Sequence, residues 1–290
     1  MLTKISFLLF GLIVAAECRR TRYRAHFHAQ MNGATFQSLM DLPQTVFLVD
    51  PDDIKLTAEQ NAILRSQGKT VLAYLSIGEA ESFRSYWQSN WTVGSPSFIV
   101  RPDAILPEQY VTQFWQPEWQ VSVLDYYTTH IAPFNYSGLL IDYMQVYDQF
   151  LDARPNAAQE MVDFLKRVVD LAKAKDSQAI IVTQDSAGLY KLSEEYRMLV
   201  DGVSLQEVYY HDGKMKKARE TREMVDLLNG ISKDKKVVML EEYVEKNRHA
   251  CDFYKKCSLE GFMCGVFDPA LSQGPLECVG PSESGIRIPF

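Results

Sequence analysis

The chain has 290 residues, of which 47% are apolar, and it carries a formal net charge of −7 at neutral pH. This length and composition suffice for one large domain with a hydrophobic core. The acidic balance excludes a protein that binds nucleic acid through a basic surface, although such a charge is also ordinary for a soluble domain.

The first predicted element is a secretory signal peptide over residues 1–16. Lys4 precedes the apolar run ISFLLFGLIVAA, which ends in small residues suited to a cleavage site. The run is too short to span a membrane comfortably, and no later stretch is long and apolar enough to do so. We therefore expect a secreted, extracellular protein with no membrane association after the signal is removed.

Eight short runs rich in Val, Ile, Leu and aromatic residues predict β-strands, and none contains an internal proline. They lie at 24–31, 45–50, 70–77, 138–143, 178–184, 202–208, 236–243 and 261–267. Helical patterns lie between most of them, and the clearest covers residues 157–175. Eight strands separated by helices favour a single-domain (β/α)8 TIM barrel over residues 23–290, rather than an open doubly wound sheet.

Four of the five cysteines cluster near the C-terminus: Cys251, Cys257, Cys264 and Cys278. In an exported protein they can form two disulfides, and the sequence leaves their pairing open. Their spacing does not match the closely paired cysteines of a zinc site.

Nearly every predicted strand ends in polar or acidic residues, at the end where (β/α)8 barrels build their active sites. These residues are Asp50, Glu79, Glu81, Asp142, Gln184, Asp185, Gln206, Glu207, Glu241, Glu242 and Asp268. Asp142 is the most informative because it lies inside the apolar run GLLIDYM, where an unpartnered carboxylate would be costly. Chance acidity of loops explains this series poorly, so we expect the acids to surround a cleft.

Some of these residues also have structural interpretations. Asp50 precedes a proline and suits a turn, and Glu81 suits the positive end of a helix dipole. Arg84 is expected to hold a glutamate, namely Glu79, rather than to contact substrate. Tyr147 also suits a place in the core.

Carboxylates and aromatic residues at a barrel mouth suit glycoside hydrolysis. Most glycosidases use one carboxyl group to protonate the leaving oxygen and another as base or nucleophile. The five histidines are scattered, so no metal site is predicted. The sequence contains no GxGxxG, Walker or GxSxG motif, so we expect no cofactor and no serine nucleophile.

The stretch VLAYLSIGEAESFRSYW at 71–87 resembles the signature AYLSIGEAE-x-x-R-x-YW of glycoside hydrolase family 114, the endo-α-1,4-polygalactosaminidase-like barrels. Later blocks resemble that family in the same order, namely FWQPEWQ, GLLIDYMQVYDQF, DGVSLQEVYY, VVMLEEYV and GFMCGVFDPAL. The resemblance covers roughly residues 45–272. It implies a TIM barrel and an exported enzyme that hydrolyses α-1,4-linked galactosamine polymers.

The resemblance also assigns catalytic positions, and among the departures from the family pattern are two lost acids. Asp142 matches the catalytic aspartate of the family. The family's catalytic glutamate falls on Gln206, with Glu207 on the next position, and the second acid of the GLLIDYMQVYDQF block is Gln145. Glutamine cannot donate a proton as a carboxylic acid does. Glu207 can replace Gln206 only if the strand slips by one residue or bulges.

We therefore predict Asp142 as base or nucleophile and Glu207 as acid, with Glu242 or Glu79 as alternative acids. If neither Glu207 nor Glu242 faces Asp142 across the cleft, an inactive carbohydrate-binding relative is favoured. The predicted substrate contacts are Asp50, Glu79, Glu81, Arg84, Tyr147, Asp185 and Glu242. The predicted partner is a cationic amino-sugar polymer, which an acidic cleft would attract. We expect a monomer that binds no nucleic acid.

Overall fold

The structure, a computed structural model, describes residues 25–278, so the predicted signal peptide and Cys18 lie outside the described residues. Eight parallel strands form one sheet in chain order. They are β1 His28–Gln30, β2 Val46–Val49, β3 Thr70–Ser76, β4 Gly138–Asp142, β5 Ile180–Gln184, β6 Gly202–Gln206, β7 Val237–Glu242 and β8 Met263–Val266. Every predicted strand is present, and the prediction of a (β/α)8 barrel is confirmed.

The sheet curves until its first and last strands meet. The backbone N–H of His26, before β1, donates to the carbonyl oxygen of Cys264 in β8 at 2.9 Å. The N–H groups of Met31 and Asn32 donate to the carbonyl oxygen of Leu271. These few bonds join the two edges of the sheet into a nearly closed barrel.

Nine α-helices are described, mostly on the connections between strands. They are α1 Phe36–Asp41, α2 Pro51–Ile54, α3 Ala58–Ser66, α4 Pro117–Tyr126, α5 Ala157–Lys175, α6 Ala187–Leu192, α7 Glu194–Leu199, α8 Ala218–Lys233 and α9 Asn247–Glu260. A π-helix covers Tyr127–Ile131, and 3-10 helices cover Ala132–Phe134 and Met144–Phe150. The helix predicted at 157–175 has the bounds of α5. Within residues 25–278, no helix has the length and apolar character needed to cross a membrane.

Alternate residues of the strands point into the barrel, where an apolar cluster fills its centre. The cluster contains Phe27, Ala29, Leu48, Leu72, Tyr74, Leu140, Val182, Met239 and Phe267. Because strand side chains alternate between the two faces, the residue two positions after an inward one also points inward. The positions of Leu140, Val182 and Met239 therefore direct Asp142, Gln184 and Glu241 into the barrel.

The long segment between β3 and β4 builds a small structure over the barrel mouth. Its three antiparallel strands are Glu79–Glu81, Ile99–Pro102 and Gln109–Thr112. Trp119 of α4 is fully buried, and its indole N–H donates to the carbonyl oxygen of Ile77 at 2.8 Å. The segment is thereby fixed to the end of β3, just where the SIGEAE residues leave the barrel.

The clustered cysteines form two disulfides. Cys251 of α9 pairs with Cys278, and Cys257 of α9 pairs with Cys264 of β8. The expectation of two bridges is confirmed, and the pairing that the sequence left open is now defined.

Candidate active site

A cavity of about 510 Å³ lies at the C-terminal ends of the barrel strands. Five carboxylates line it: Asp50, Glu81, Asp142, Asp185 and Glu241. The other polar and aromatic lining residues are Asn32, Tyr74, Phe83, Gln109, Tyr143, Gln145, Gln184, Gln206 and Tyr243. None of the described residues that line it is basic. The cavity therefore offers acidic groups and hydrogen-bond acceptors to a ligand, without a positively charged side chain among its described lining residues.

Asp142, the last residue of β4, lies in the centre of this acidic set. The N–H of Tyr143 donates to its Oδ1 at 2.6 Å. Burial raises the pKa of Asp142 well above its usual value, and the charges of Asp185, Glu81 and Glu241 raise it further. The position of Asp142 in the cavity is the one that its predicted role requires. The raised pKa favours the neutral carboxyl group, whereas a base or nucleophile acts as the carboxylate, so the role stays a prediction.

The turn after Asp142 depends on a close backbone contact. Tyr143 has a φ of 58°, in the left-handed region that costs free energy for a residue other than glycine. Its carbonyl oxygen lies against Gly78, where an added Cβ would be only 1.8 Å from that oxygen. The glycine of SIGEAE is therefore required by the geometry of the strand that carries Asp142.

Replacing Gly78 with alanine is expected to lower the free energy of unfolding by about 1–3 kcal/mol, because the backbone of Tyr143 must move to admit the methyl group. Urea unfolding measures this change. Gly230→Ala is the matched control, since an added Cβ on α8 meets nothing within 4 Å and alanine is the better helix former. Equal stability of Gly78→Ala and wild type would contradict the proposed contact.

Arg84 is the centre of a buried ionic network behind the cavity wall. Its guanidinium donates to both oxygens of Asp50 at 2.7 Å and to Oε2 of Glu81 at 2.8 Å. It also donates to Asp52 at 3.1 Å. The expectation that Arg84 holds Glu79 is wrong, because a turn places the N–H of Arg84 on the carbonyl oxygen of Glu81 and brings the side chain back over that glutamate.

Asp50 has both of the functions that the sequence left open. It is the N-cap of α2 and accepts the N–H of Asp52 at 2.8 Å, and it also lines the cavity. The carboxyl group of Glu81 likewise reaches the cavity while it binds Arg84. The network thus fixes two of the five carboxylates of the site.

Glu79 is buried beside the cavity and does not line it. Its Oε2 has no hydrogen-bond partner within the described part of the chain. Burial raises the pKa of Glu79 to about 7, with a further contribution from the charge of Asp103. At neutral pH a large fraction of this side chain is therefore uncharged.

Glu79 should make the stability of the protein depend on pH. Its native pKa of about 7 exceeds the ordinary 4.5, so the native state binds more protons than the unfolded state between these values. The contribution of Glu79 is therefore complete below about pH 4.5 and is lost as the pH rises through about 7. In urea unfolding, Glu79→Gln should gain stability relative to wild type as the pH rises across this range. A stability difference that does not change with pH would contradict this assignment.

Asp185 follows β5, the strand next to the one that carries Asp142, and it also lines the cavity. Its φ is 48°, and its Oδ1 accepts the N–H of Gln206 at 3.0 Å. Burial raises the pKa of Asp185 to about 6, and the charge of Glu207 also raises it. The position of Asp185 agrees with its predicted contact with substrate.

Glu207 does not line the cavity that contains Asp142. The strand β6 ends at Gln206, which pairs in register with Glu241 without a slip or bulge, and Glu207 leaves the strand with a φ of 52°. Its carboxylate binds Nδ1 of His211 at 2.7 Å and accepts the N–H of Asp212 at 3.0 Å. Gln206 lines the cavity and Glu207 does not. The prediction that Glu207 faces Asp142 across the cavity is wrong, because the chain leaves the strand at this residue and its carboxylate binds His211 and Asp212 outside the cavity lining.

Glu242 and Tyr147 also lie outside the cavity. The carboxylate of Glu242 accepts the N–H groups of Tyr209 at 2.6 Å and Tyr210 at 3.3 Å on the outer side of the barrel. Burial raises its pKa to about 8. Tyr147 is buried in the outer core, as its alternative interpretation anticipated. Neither residue lines the cavity where the predicted substrate would bind.

The sequence analysis included Glu241 among the acids at the strand ends but chose its neighbour Glu242 as the site residue. Glu241 is 1% exposed and lines the cavity, and its Oε1 accepts the hydroxyl of Ser204 at 2.7 Å. Burial raises the pKa of Glu241 to about 7, and the charge of Asp185 contributes. The signal was present in the alternation of β7, because an inward Met239 places Glu241 rather than Glu242 inside the barrel.

One group of described residues brings three metal-binding side chains together. Ligand atoms of Glu207, His211 and Asp212 lie within 4.8 Å of one another. Both oxygens of Glu207 already have partners in His211 and the N–H of Asp212. The group lies in the hairpin after β6, apart from the cavity, and the function proposed below does not use it.

Two solved structures share the fold of nearly the whole chain. The glycoside hydrolase domain of PelA from Pseudomonas aeruginosa has a TM-score of 0.69 at 14% identity, covering 88% of this chain and 98% of that one. Ega3 from Aspergillus fumigatus, in complex with galactosamine, has a TM-score of 0.65 at 13% identity, covering 89% and 97%. At these identities the similarity establishes the fold.

Sequence relatives and a family model extend the comparison. An uncharacterized protein of Deinococcus radiodurans is 32% identical over 206 residues, which are 69% of this chain and 66% of that protein. An uncharacterized protein of Methanocaldococcus jannaschii is 23% identical over 227 residues, which are 74% of this chain and 65% of that protein. The match thus spans about two thirds of the length of these relatives. The model of glycoside-hydrolase family GH114 matches residues 14–280. Because that match covers the whole barrel and the strand ends that carry the acids, the chain belongs to glycoside-hydrolase family GH114.

Proposed function

We propose that the protein is a secreted glycosidase that cleaves α-1,4-linked galactosamine-containing polysaccharide within the chain by a two-carboxylate mechanism. Family membership supports the class of reaction, and the barrel-mouth cavity supplies the carboxyl groups. Asp142 is the proposed base or nucleophile, and Asp50, Glu81 and Asp185 are proposed to contact the substrate.

The acidic lining of the cavity is the observation that carries the proposal. Five carboxylates and no basic side chain line it within the described residues. Burial leaves Oε1 of Gln109, Gln145 and Gln184 without partners among those residues. Such a cavity suits a ligand rich in donors and carrying positive charge, as a polymer of free amino sugars is. The galactosamine bound to Ega3, which has a similar fold, supports the same substrate class.

Secretion is proposed from the predicted signal peptide and agrees with the two disulfides, since such bonds persist in oxidising compartments. The two bridges lie in the last barrel unit. Export would also place the protein where extracellular polysaccharide is found.

Product analysis tests the proposed function. We expect the wild-type protein to release oligomers from de-N-acetylated α-1,4-linked galactosamine polymer and to act poorly on the fully acetylated polymer, which lacks the positive charge. Chromatography with mass spectrometry distinguishes internal cleavage, which gives a range of oligomers, from release of single sugars. Cleavage of another glycan alone would reject the proposed substrate, and cleavage of none would reject the activity.

A specific observation also favours a second candidate, a carbohydrate-binding protein without activity. Gln206 occupies the inward position where the family resemblance places a catalytic glutamate, and Glu207 and Glu242 both lie outside the cavity. Calorimetric binding of galactosamine oligomers by a wild-type protein that releases no product would support this candidate.

A further inference from the structure

The cavity contains a carboxyl group next to Gln206, the position where the family resemblance places a catalytic glutamate. In the parallel pairing of β6 and β7, Glu241 lies opposite Gln206. Both side chains line the cavity that contains Asp142. An acid carried by β7 is therefore beside the position that β6 no longer supplies.

The surroundings of Glu241 suit a carboxyl group that holds a proton until it is used. Its side chain is withdrawn from water, with 1% exposure. Within residues 25–278 its oxygens accept hydrogen bonds from hydroxyl groups only, with Ser204 Oγ at 2.7 Å from Oε1 and the Tyr243 hydroxyl at 3.4 Å from Oε2. A hydroxyl can donate to a carboxylate and can equally accept from a carboxylic acid. These partners therefore tolerate both states of Glu241 during a proton transfer.

The other acids are less suited to donating a proton into the cavity. Asp185 accepts a backbone N–H from Gln206, which can only donate and so favours the carboxylate. Glu242 accepts two backbone N–H groups on the outer side of the barrel. Glu81 is held by the guanidinium of Arg84.

We propose that Glu241 is the general acid of the site and donates its proton to the glycosidic oxygen, in place of the acid that Gln206 cannot provide. The bond between the anomeric carbon and the leaving oxygen breaks with its electron pair moving to that oxygen, which takes the proton of Glu241. Over one turnover, the hydroxyl of a water molecule bonds to the anomeric carbon, either directly or after attack by Asp142. The remaining proton of that water restores the acid. This inference rests on the proposed function.

The test compares leaving groups in aryl glycosides of α-1,4-linked galactosamine oligomers. A general acid matters when the leaving group is basic and matters little when it departs as a stable anion. We expect Glu241→Gln to lose about 10²–10⁴-fold in kcat/KM on the polymer and on a phenyl glycoside. On a dinitrophenyl glycoside the loss should be less than about 10-fold. Glu59→Gln, an exposed substitution of the same kind on α3, should match wild type on all three substrates.

A double variant tests whether an acid at position 206 can replace the acid at position 241. Adding Gln206→Glu to Glu241→Gln should restore part of the lost activity on the phenyl glycoside, because it returns a carboxyl group to the same part of the cavity. Circular dichroism and thermal unfolding establish that both variants are folded. An equal loss on both aryl glycosides, or no loss, with an active wild type would overturn this inference alone. A wild type inactive on every galactosamine substrate would overturn the proposed function as well.

Discussion

Changing Asp142 to asparagine is expected to lower kcat on galactosamine polymer by about 10²–10⁴-fold, the range associated with loss of a positioned acid–base group. Asparagine keeps the shape of the side chain, and its amide oxygen can still accept the N–H of Tyr143 that now binds Oδ1. What disappears is the ability to take a proton or to attack the anomeric carbon. The free energy of unfolding should not fall, because the substitution removes a carboxyl group crowded by Asp185, Glu81 and Glu241.

Initial rates of product release and urea unfolding, measured on the same preparations, separate these two effects. Asp125→Asn makes the same chemical change at an exposed position on α4 and serves as the control. Full activity of Asp142→Asn would exclude Asp142 as base or nucleophile. A large loss of stability together with activity would instead assign it a structural function.

Replacing Arg84 with methionine should have the largest effect on stability. Arg84 is 4% exposed and binds Asp50 and Glu81, so its loss leaves the buried carboxylate of Glu81 and the partly buried one of Asp50 without their counter-charge. Removal of one partner from a buried ion pair costs about 3–5 kcal/mol. We expect a decrease of that size in the free energy of unfolding, measured by urea denaturation.

Arg219→Met provides the comparison, because Arg219 forms an exposed ion pair with Glu223 on α8. Pairs of that kind contribute about 0–1 kcal/mol. Equal costs for the two substitutions would show that the network around Arg84 contributes no more than a surface pair. A variant that remains folded should also lose affinity for substrate, since the network positions two cavity carboxylates.

The barrel could be predicted because each strand is defined by residues near it in sequence. Runs such as TVLAYLSI and GLLID are apolar on both faces, as strands buried between a barrel interior and its helices must be. The eight strands follow from such runs, and α5 follows from a single clear periodic face. The small antiparallel sheet at 79–112 was not predicted, since its strands of three or four residues carry too little pattern.

The site was predicted only in part, because the sequence did not show which of two neighbouring residues at a strand end points into the cavity. Asp142 and Asp185 were placed correctly in the cavity. Glu207 and Glu242 were each predicted in the cavity, but in both cases the preceding residue, Gln206 or Glu241, lines it. The partner of Arg84 depended on a turn of three residues that no periodic pattern describes. A count of alternation from Met239 would have found Glu241.

The seam between β1 and β8 determines where the barrel can open. Elsewhere neighbouring strands share a continuous ladder, whereas these two edges meet through isolated bonds such as that from His26 to Cys264. The disulfides lie beside this seam and tie β8 and the segment ending at Cys278 to α9. The β8 side of the seam is therefore braced covalently, whereas hydrogen bonds hold the two edges of the seam together. In a reducing medium, local opening and amide hydrogen exchange would begin at this seam, while the strands that carry Asp142 and Asp185, on the far side of the barrel, stay protected.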